Sequence, residues 1–396
     1  MQYCDALIVG AGPAGSTLAW RLTQAGYNVH IVDRATFPRE TPCAGWITPQ
    51  VVESLELSLL DYGESHTLQP VSAFVTGIIG REPLFTGYRE PVGYGVIRSE
   101  FDHYLLERSG ARYHLSQAVE CIRRHQGLWE INERFRTPLL IGAGGRFCPV
   151  ARHLGTDRGC PERAVSGEVM EWRLDAWQKA NCPSRGKAAE LYFYPDLKGY
   201  GWIFRKHDYL NIGLRRDDAH EPNAHFENFV HWLQETRRVP FDLSPNRRED
   251  AYLTHTSSNQ TIAAEGILLI GDAADIAPAQ SDEGIRTAVE SALIAAHAIG
   301  NAPGDYSETN LRGYEYRLRS HFGRRSLGKR IHSDTPIASA LRRRMGTWLL
   351  EHPTFVEKIL LNRWLLRRHE SPWLTPKTAS RVQFSSTNSP QIDPTD

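Results

Sequence analysis

Short apolar runs and helical periodicities alternate along the first 150 residues. Ala6 to Val9 is an unbroken apolar run that ends in Gly10, Gly12 and Gly15, and helical spacing follows from Thr17 to Ala25. A second apolar run, Asn28 to Val32, ends in Asp33. Strand, glycines, helix, strand and an acid about 20 residues on is the order of a dinucleotide-binding unit. Gly10 makes the tight turn, Gly12 lets backbone approach a pyrophosphate, and Gly15 lets helix pack on strand. The pyrophosphate would sit at the helix start, at Pro13 and Ala14, where free amides and the dipole favour an anion. Asp33 would take a ribose hydroxyl.

Further along, Leu68 to Ile79 alternates loosely and reads as one strand, with a partner around Val92 to Ile97. Arg98 to Glu107 predicts a helix capped by Ser99, with Asp102 completing a partial capping box. Strands are predicted near Tyr113, over Glu120–Arg123, Trp129–Asn132 and Pro138–Ile141. The pattern then changes. Val165–Leu174, Ala188–Tyr194, Trp202–Arg205 and Tyr209–Leu214 read as an antiparallel sheet, followed by a helix over Ala224–Thr236. An apolar strand resumes at Gly266 and ends at Gly271-Asp272. Pro278, Gln280, Ser281, Asp282, Glu283, Gly284 and Ile285 then open a helix that runs to Ile299. Two apolar stripes close the ordered part: Leu341, Met345, Trp348 and Leu349, then Phe355, Val356, Ile359, Leu360 and Trp364. From Thr375 onward Ser, Thr, Pro, Gln and Asn dominate, which predicts disorder.

Charge changes this picture only at the C-terminal end. The chain is neutral overall. Between Arg312 and Arg381 it nevertheless carries 16 Lys and Arg against 5 Asp and Glu, a surplus of 11 positive charges. The first 178 residues contain no lysine, so the preference for arginine carries no weight, but the surplus does. Basic helices with tryptophan either dock on an acidic protein or anionic membrane, or pack as a lid over the rest. Nothing suggests nucleic acid. The six cysteines form no C-x-x-C pair, which argues against a metal site and a disulfide framework. No secretory leader precedes the first strand, and no apolar run approaches the ~20 residues of a membrane span. The expected location is cytoplasmic, with or without peripheral attachment to a membrane.

Arg34-Ala-Thr-Phe-Pro-Arg39-Glu-Thr-Pro-Cys43-Ala44-Gly45 resembles the FPRxxPCxG segment of the geranylgeranyl reductase branch of the FAD-dependent oxidoreductases. That branch shares its fold with the p-hydroxybenzoate hydroxylase group. The resemblance implies FAD, with Arg34, Arg39, Cys43 and Ala44 near the cofactor and Arg98 on its phosphate or ribityl oxygens. It also implies that Asp272, after Gly271, meets the ribityl chain, and that Gly284 and Ile285 bring helix amides to the flavin pyrimidine ring. Asp282 stands where the family has glycine; there it either caps the helix or opposes an anionic flavin. Ala143 precedes Gly144, which replaces the family's aspartate and puts reduction by NAD(P)H in doubt. Pro195 to Phe204 resembles the family's aromatic substrate motif, with Arg205 in place of a proline. Tyr200 and Trp202 are thus either a catalytic cavity wall or ordinary sheet core, and Cys43 either touches flavin and substrate or is a small buried hydrophobe.

The predicted fold is α/β: a Rossmann-like FAD domain (1–72, 95–163 and 252–302) interleaved with an antiparallel-sheet substrate domain (73–94 and 164–251). A basic helical region (303–374) and a disordered tail (375–396) follow. The resemblance implies hydride transfer at flavin N5 to a large apolar or macromolecule-borne substrate. Two alternatives stay open. One is a flavin-hydroperoxide monooxygenase, including the group that hydroxylates a protein tryptophan in quinone-cofactor biogenesis, which the sequence also resembles. The other is a flavin-bound partner protein without turnover.

Overall fold

The computed structural model describes residues 1–155, 165–216, 222–243, 252–254, 261–275, 283–322 and 336–373. The Pro278–Asp282 segment and the tail from Thr375 lie outside the described residues, as do the side chains of Leu341 and Arg342.

A six-stranded sheet is built in the order 263–264, 267–269, 140–142, 6–9, 29–32 and 112–114. All neighbours are parallel except the first pair. Ile8 lies opposite both Ile31 and Ile141. Its side chain meets Gly15 of the helix Pro13–Gln24, so this face of the sheet takes the helices. His30, out of phase by one residue, turns to the other face and meets Phe135 edge-on at 6.0 Å. Phe135 belongs to a four-stranded sheet (2–3, 135–137, 128–131 and 122–125) that covers that face.

The second large sheet runs 252–254, 165–173, 209–216, 199–206, 188–193, 73–78 and 84–87. It departs from the expected antiparallel pattern at one place, where 188–193 pairs in parallel with 73–78. The helix Pro222–Glu235 buries Phe226, Phe229 and Leu233 on one face, against Met170, Tyr192, Ile203 and Ile212. The other face carries Tyr200, Trp202 and Phe204 and receives Val356, Leu360, Leu361 and Leu366 from the C-terminal region.

Several boundaries differ from the sequence pattern. The single strand expected over Leu68–Ile79 is two, Leu68–Val71 and Ala73–Ile78. The first pairs with Gly93–Val96 in a small sheet, while Ser72 and Ala73 donate to Lys187 O and turn the chain into the large sheet. Phe135–Thr137 is a strand the pattern missed, and the strand expected over Glu120–Arg123 lies over Ile122–His125. The helix Arg98–Arg108 is not capped by Ser99; Ile97 precedes it without a side-chain cap. Asp102 spends its carboxylate on arginines instead. At the C-terminus, the helix Pro336–Leu350 leads through His352 to Pro353–Phe355 and a π-wound segment, Val356–Leu365. The wider winding brings Leu361 into the buried stripe with Val356 and Leu360, and leaves Ile359 exposed. Among the described residues, no helix is long and apolar enough to cross a membrane.

Candidate active site

The glycine turn has the shape its residues imply. Gly10 has φ +117°, a left-handed conformation, and a Cβ there would strike the Ala143 carbonyl. A Cβ on Gly15 would strike the Gly10 carbonyl. Gly12 differs: its missing Cβ would meet only Arg39 Nη2, at 3.2 Å, so the space above it is a cradle that any side chain would fill. Pro13 and Ala14 are buried in the first turn of the helix. Asp33 accepts from the amides of Ala11 and Ala35, at 2.7 and 2.8 Å, which orients its carboxylate at the mouth of the turn. A cradle, a helix N-terminus and an oriented acid suit the diphosphate and ribose of a dinucleotide.

Arg39 and Arg98 meet on one buried carboxylate. Asp102, wholly buried, takes Arg98 Nε and Nη2 at 2.8 and 2.9 Å and Arg39 Nη2 at 3.2 Å. Arg39 also donates to Thr41. Burial alone would pull the Arg98 guanidinium below its ordinary value; Asp102 and the Cys43 side chain beside it hold it above. Arg34 is exposed nearby. Asp102 thus pairs with the two arginines and is not the capping partner that the sequence pattern suggests. Its spacing four residues after Arg98 on a helix was the available signal.

Cys43 and Ala44, both half-buried, lead from the arginines to the large sheet. Ala44 and Trp46 pack on the face that carries Tyr200, Trp202 and Phe204. Trp46 meets Phe204 and Phe74, each at 5.7 Å between ring centroids. Phe193 lies on this face too, whereas Tyr192 packs on the opposite one with Phe229 and Trp232. The C-terminal segment closes over the aromatics: Trp364 meets Tyr200 edge-on at 5.8 Å, and Tyr88 Oη lies 3.1 Å from Asn362 Oδ1.

On the other side of the glycine turn, Ala143 donates to Val9 O and is buried, while Gly144 is exposed with an ordinary φ of −76°. Gly271 has φ +60° and donates to Ser291 Oγ at 2.9 Å; Asp272 is exposed beside it. Gly284 starts the helix that runs to Gly300, and Ile285 is buried under it. Just before them, Glu283 is buried, with Arg286 and Arg367 at 3.7 and 3.8 Å. Burial raises its carboxyl to about 7, against the opposing pull of the two guanidiniums. Arg367 and Glu370 thereby tie the C-terminal segment to the start of this helix.

Residues 3–68 match the FAD binding domain family. The chain is 26% identical to menaquinone reductase of Mycobacterium tuberculosis over 322 residues, 74% of this chain and 76% of the relative. It is 25% identical to digeranylgeranylglycerophospholipid reductase of Methanocaldococcus jannaschii over 391 residues, 90% and 94% of the two chains. In fold it is similar to a geranylgeranyl bacteriochlorophyll reductase-like protein from Thermoplasma acidophilum, with a TM-score of 0.68, 17% identity and 96% of each chain covered.

Proposed function

We propose that this chain, an enzyme of the FAD-dependent oxidoreductase superfamily, reduces a carbon–carbon double bond in a long apolar substrate. The observation that carries the reading is the lidded aromatic face of Tyr200, Trp202 and Phe204, continuous through Ala44 with the arginine cluster and the glycine cradle. Relatives along most of the chain are named as reductases of menaquinone and of a digeranylgeranyl lipid, which supports the same substrate class.

In this reading Gly10, Gly12, Gly15 and the helix start at Pro13 and Ala14, with Ala14 supplying an amide N–H, hold the diphosphate of FAD, Asp33 a ribose, and Arg39 and Arg98 its anionic oxygens. When bound, FAD supplies a hydride acceptor and donor at N5. The chain's own part is to hold a flat apolar chain between Trp202 and the C-terminal segment and to exclude water there. The test is anaerobic: photoreduced holoenzyme is mixed with geranylgeranyl diphosphate or a menaquinone. Recovery of oxidised-flavin absorbance together with gain of a hydrogen pair by the substrate is expected. No hydrogenation in this mixture, with oxygen incorporated into the substrate once air is admitted in a parallel run, would overturn the reading in favour of a monooxygenase.

A second proposal concerns where the substrate comes from. Met345 and Trp348 stand 56% and 55% exposed on the helix that carries Arg343 and Arg344. An exposed apolar pair beside arginines suits an anionic membrane surface. Co-sedimentation with anionic vesicles is expected to fall with salt and in the double variant Arg343→Glu, Arg344→Glu. Unchanged sedimentation in that variant would remove the membrane from the account.

A further inference from the structure

Amid the aromatics of the large sheet lies a group of polar side chains that the dinucleotide site does not use. Lys206 is completely buried. A buried ammonium is costly unless all its donors are met, and here all three are. Lys206 Nζ donates to Ala44 O and Val96 O, each at 3.0 Å, and ion-pairs with Glu171. Asn211 lies across the same face. Its Nδ2 donates to Cys43 O at 3.0 Å and to Glu171 Oε1 at 3.2 Å, while its Oδ1 accepts Trp202 Nε1 at 2.8 Å.

Space for this bridge is written into the backbone. Gly45 has φ +65°, and a Cβ there would lie 2.8 Å from Lys206 Nζ. A Cβ on Gly95 would lie 2.7 Å from Lys206 Cγ. The carbonyls of Cys43 and Ala44 are therefore gripped by two side chains of the large sheet, both steadied by Glu171. The Cys43 side chain itself lies beside Arg98. One member of the grip, Asn211, also orients the Trp202 indole.

We propose that Lys206, Asn211 and Glu171 are positioning residues that set the Cys43–Ala44 segment and couple it to Trp202, so that a ligand on the aromatic face is registered at Cys43. This rests on the reading of that face as the substrate wall and of the segment as the flavin's neighbour. Apolar residues of similar size would fill the same volume. They would leave the carbonyls of Cys43, Ala44 and Val96 without partners, and the segment free to shift.

The test uses FAD-loaded protein and reads the alkylation rate of Cys43 by iodoacetamide, peptide by peptide, so that the other cysteines do not interfere. Asn211→Leu and Lys206→Met are each expected to change that rate at least about fivefold at equal FAD occupancy, because thiol reactivity follows its local setting. Val169→Ala, on the same face but outside the bridge, is expected to stay within about twofold at a comparable loss of stability. Should Lys206→Met fail to fold, Glu171→Gln serves: it keeps the shape and is expected to give an intermediate rate. Geranylgeranyl diphosphate is expected to protect Cys43 in the unaltered protein and not in Asn211→Leu, while still quenching tryptophan fluorescence in both. Wild-type Cys43 rates in every bridge variant would overturn the proposal. Absence of protection in the unaltered protein would instead overturn the substrate reading, and the rate comparison alone would then decide whether the bridge positions the segment.

Discussion

The glycine turn and the aromatic face meet at Cys43, and they are held in different ways. At the turn the contacts are made by backbone amides: Gly10 N–H to Val32 O, Ala143 N–H to Val9 O, and Ala11 N–H to the one side chain among them, the Asp33 carboxylate. Most join residues within one βαβ unit. At the aromatic face the contacts are made by side chains across long stretches of chain, such as Asn211 to the Cys43 carbonyl and Tyr88 to the Asn362 side chain. The first arrangement tolerates almost no change of residue type at a few positions. The second spreads its specification over many positions, each replaceable at moderate cost. A nucleotide pocket of a kind common to many enzymes and the substrate wall proposed above can thus share a chain.

The comparison breaks hardest at Gly12. Its Cβ would enter the cradle and meet no backbone, so Gly12→Val is expected to fold and yet lose FAD affinity by at least about 1,000-fold, or ~4 kcal/mol. Flavin absorbance after gel filtration, beside a circular dichroism melt, checks both halves. An unfolded variant would show that the turn serves folding first. At the aromatic face the counterpart is Leu361→Ala. Leu361 is fully buried under the sheet, and its truncation is expected to cost about 2–4 kcal/mol in urea unfolding while FAD content stays at wild-type level. Loss of flavin in this variant would mean that the two regions are not separable.

The seam between them is tested by pH. The Glu283 carboxyl is raised from 4.5 to about 7 by burial, so the folded state favours its protonated form. The stability this contributes is fully present below the unfolded value near 4.5 and is lost as pH rises through about 7. Glu283→Gln keeps the neutral form at every pH. It is therefore expected to flatten the decline of urea midpoints between pH 5 and pH 8, by on the order of 1–3 kcal/mol at the upper end. The smallest effect is expected from Gly144→Asp. The backbone there admits any residue, but a new Cβ would press on Cys148 Cα at 3.2 Å. A modest rise in the rate of flavin reduction by NADPH, read in stopped flow, is the outcome that fits a vacant carboxylate position. An unchanged rate would give Gly144 no part in choosing the reductant.

What the sequence discloses follows the same division. Gly10, Gly12 and Gly15 act through backbone geometry and Asp33 through a carboxylate held by nearby amides; all four are close in sequence, so their spacing already describes the site. Asp102 was legible as an i,i+4 partner of Arg98, but its spacing from Ser99 fits a cap equally well, and the third party, Arg39, comes from a loop. Lys206 was within reach as well. It continues the alternation of Tyr200, Trp202 and Phe204, and the rule of two places it on their face. What no pattern disclosed was the break at Ser72, because both halves alternate alike and only the distant Lys187 carbonyl decides where the chain turns. The C-terminal helices were legible as amphipathic; that the π-wound segment covers the aromatics depended on partners far away in the chain, such as Tyr200 for Trp364.

The order of strands in the six-stranded sheet also has a consequence in time. The strand Ala6–Val9 sits beside 140–142, which in turn needs 267–269 as its far neighbour. Between the arrival of 140–142 and that of 267–269 the ribosome must make five of the seven strands of the other large sheet. At about 5–20 residues per second, 140–142 waits roughly 6–25 s for its far neighbour. During that interval 140–142 offers an open, wholly apolar edge to whatever is near. Synthesis of this protein is accordingly expected to lean on a holding chaperone until residue 269 has emerged, and slowing translation across 165–216 should lower its soluble yield more than slowing it anywhere after 300.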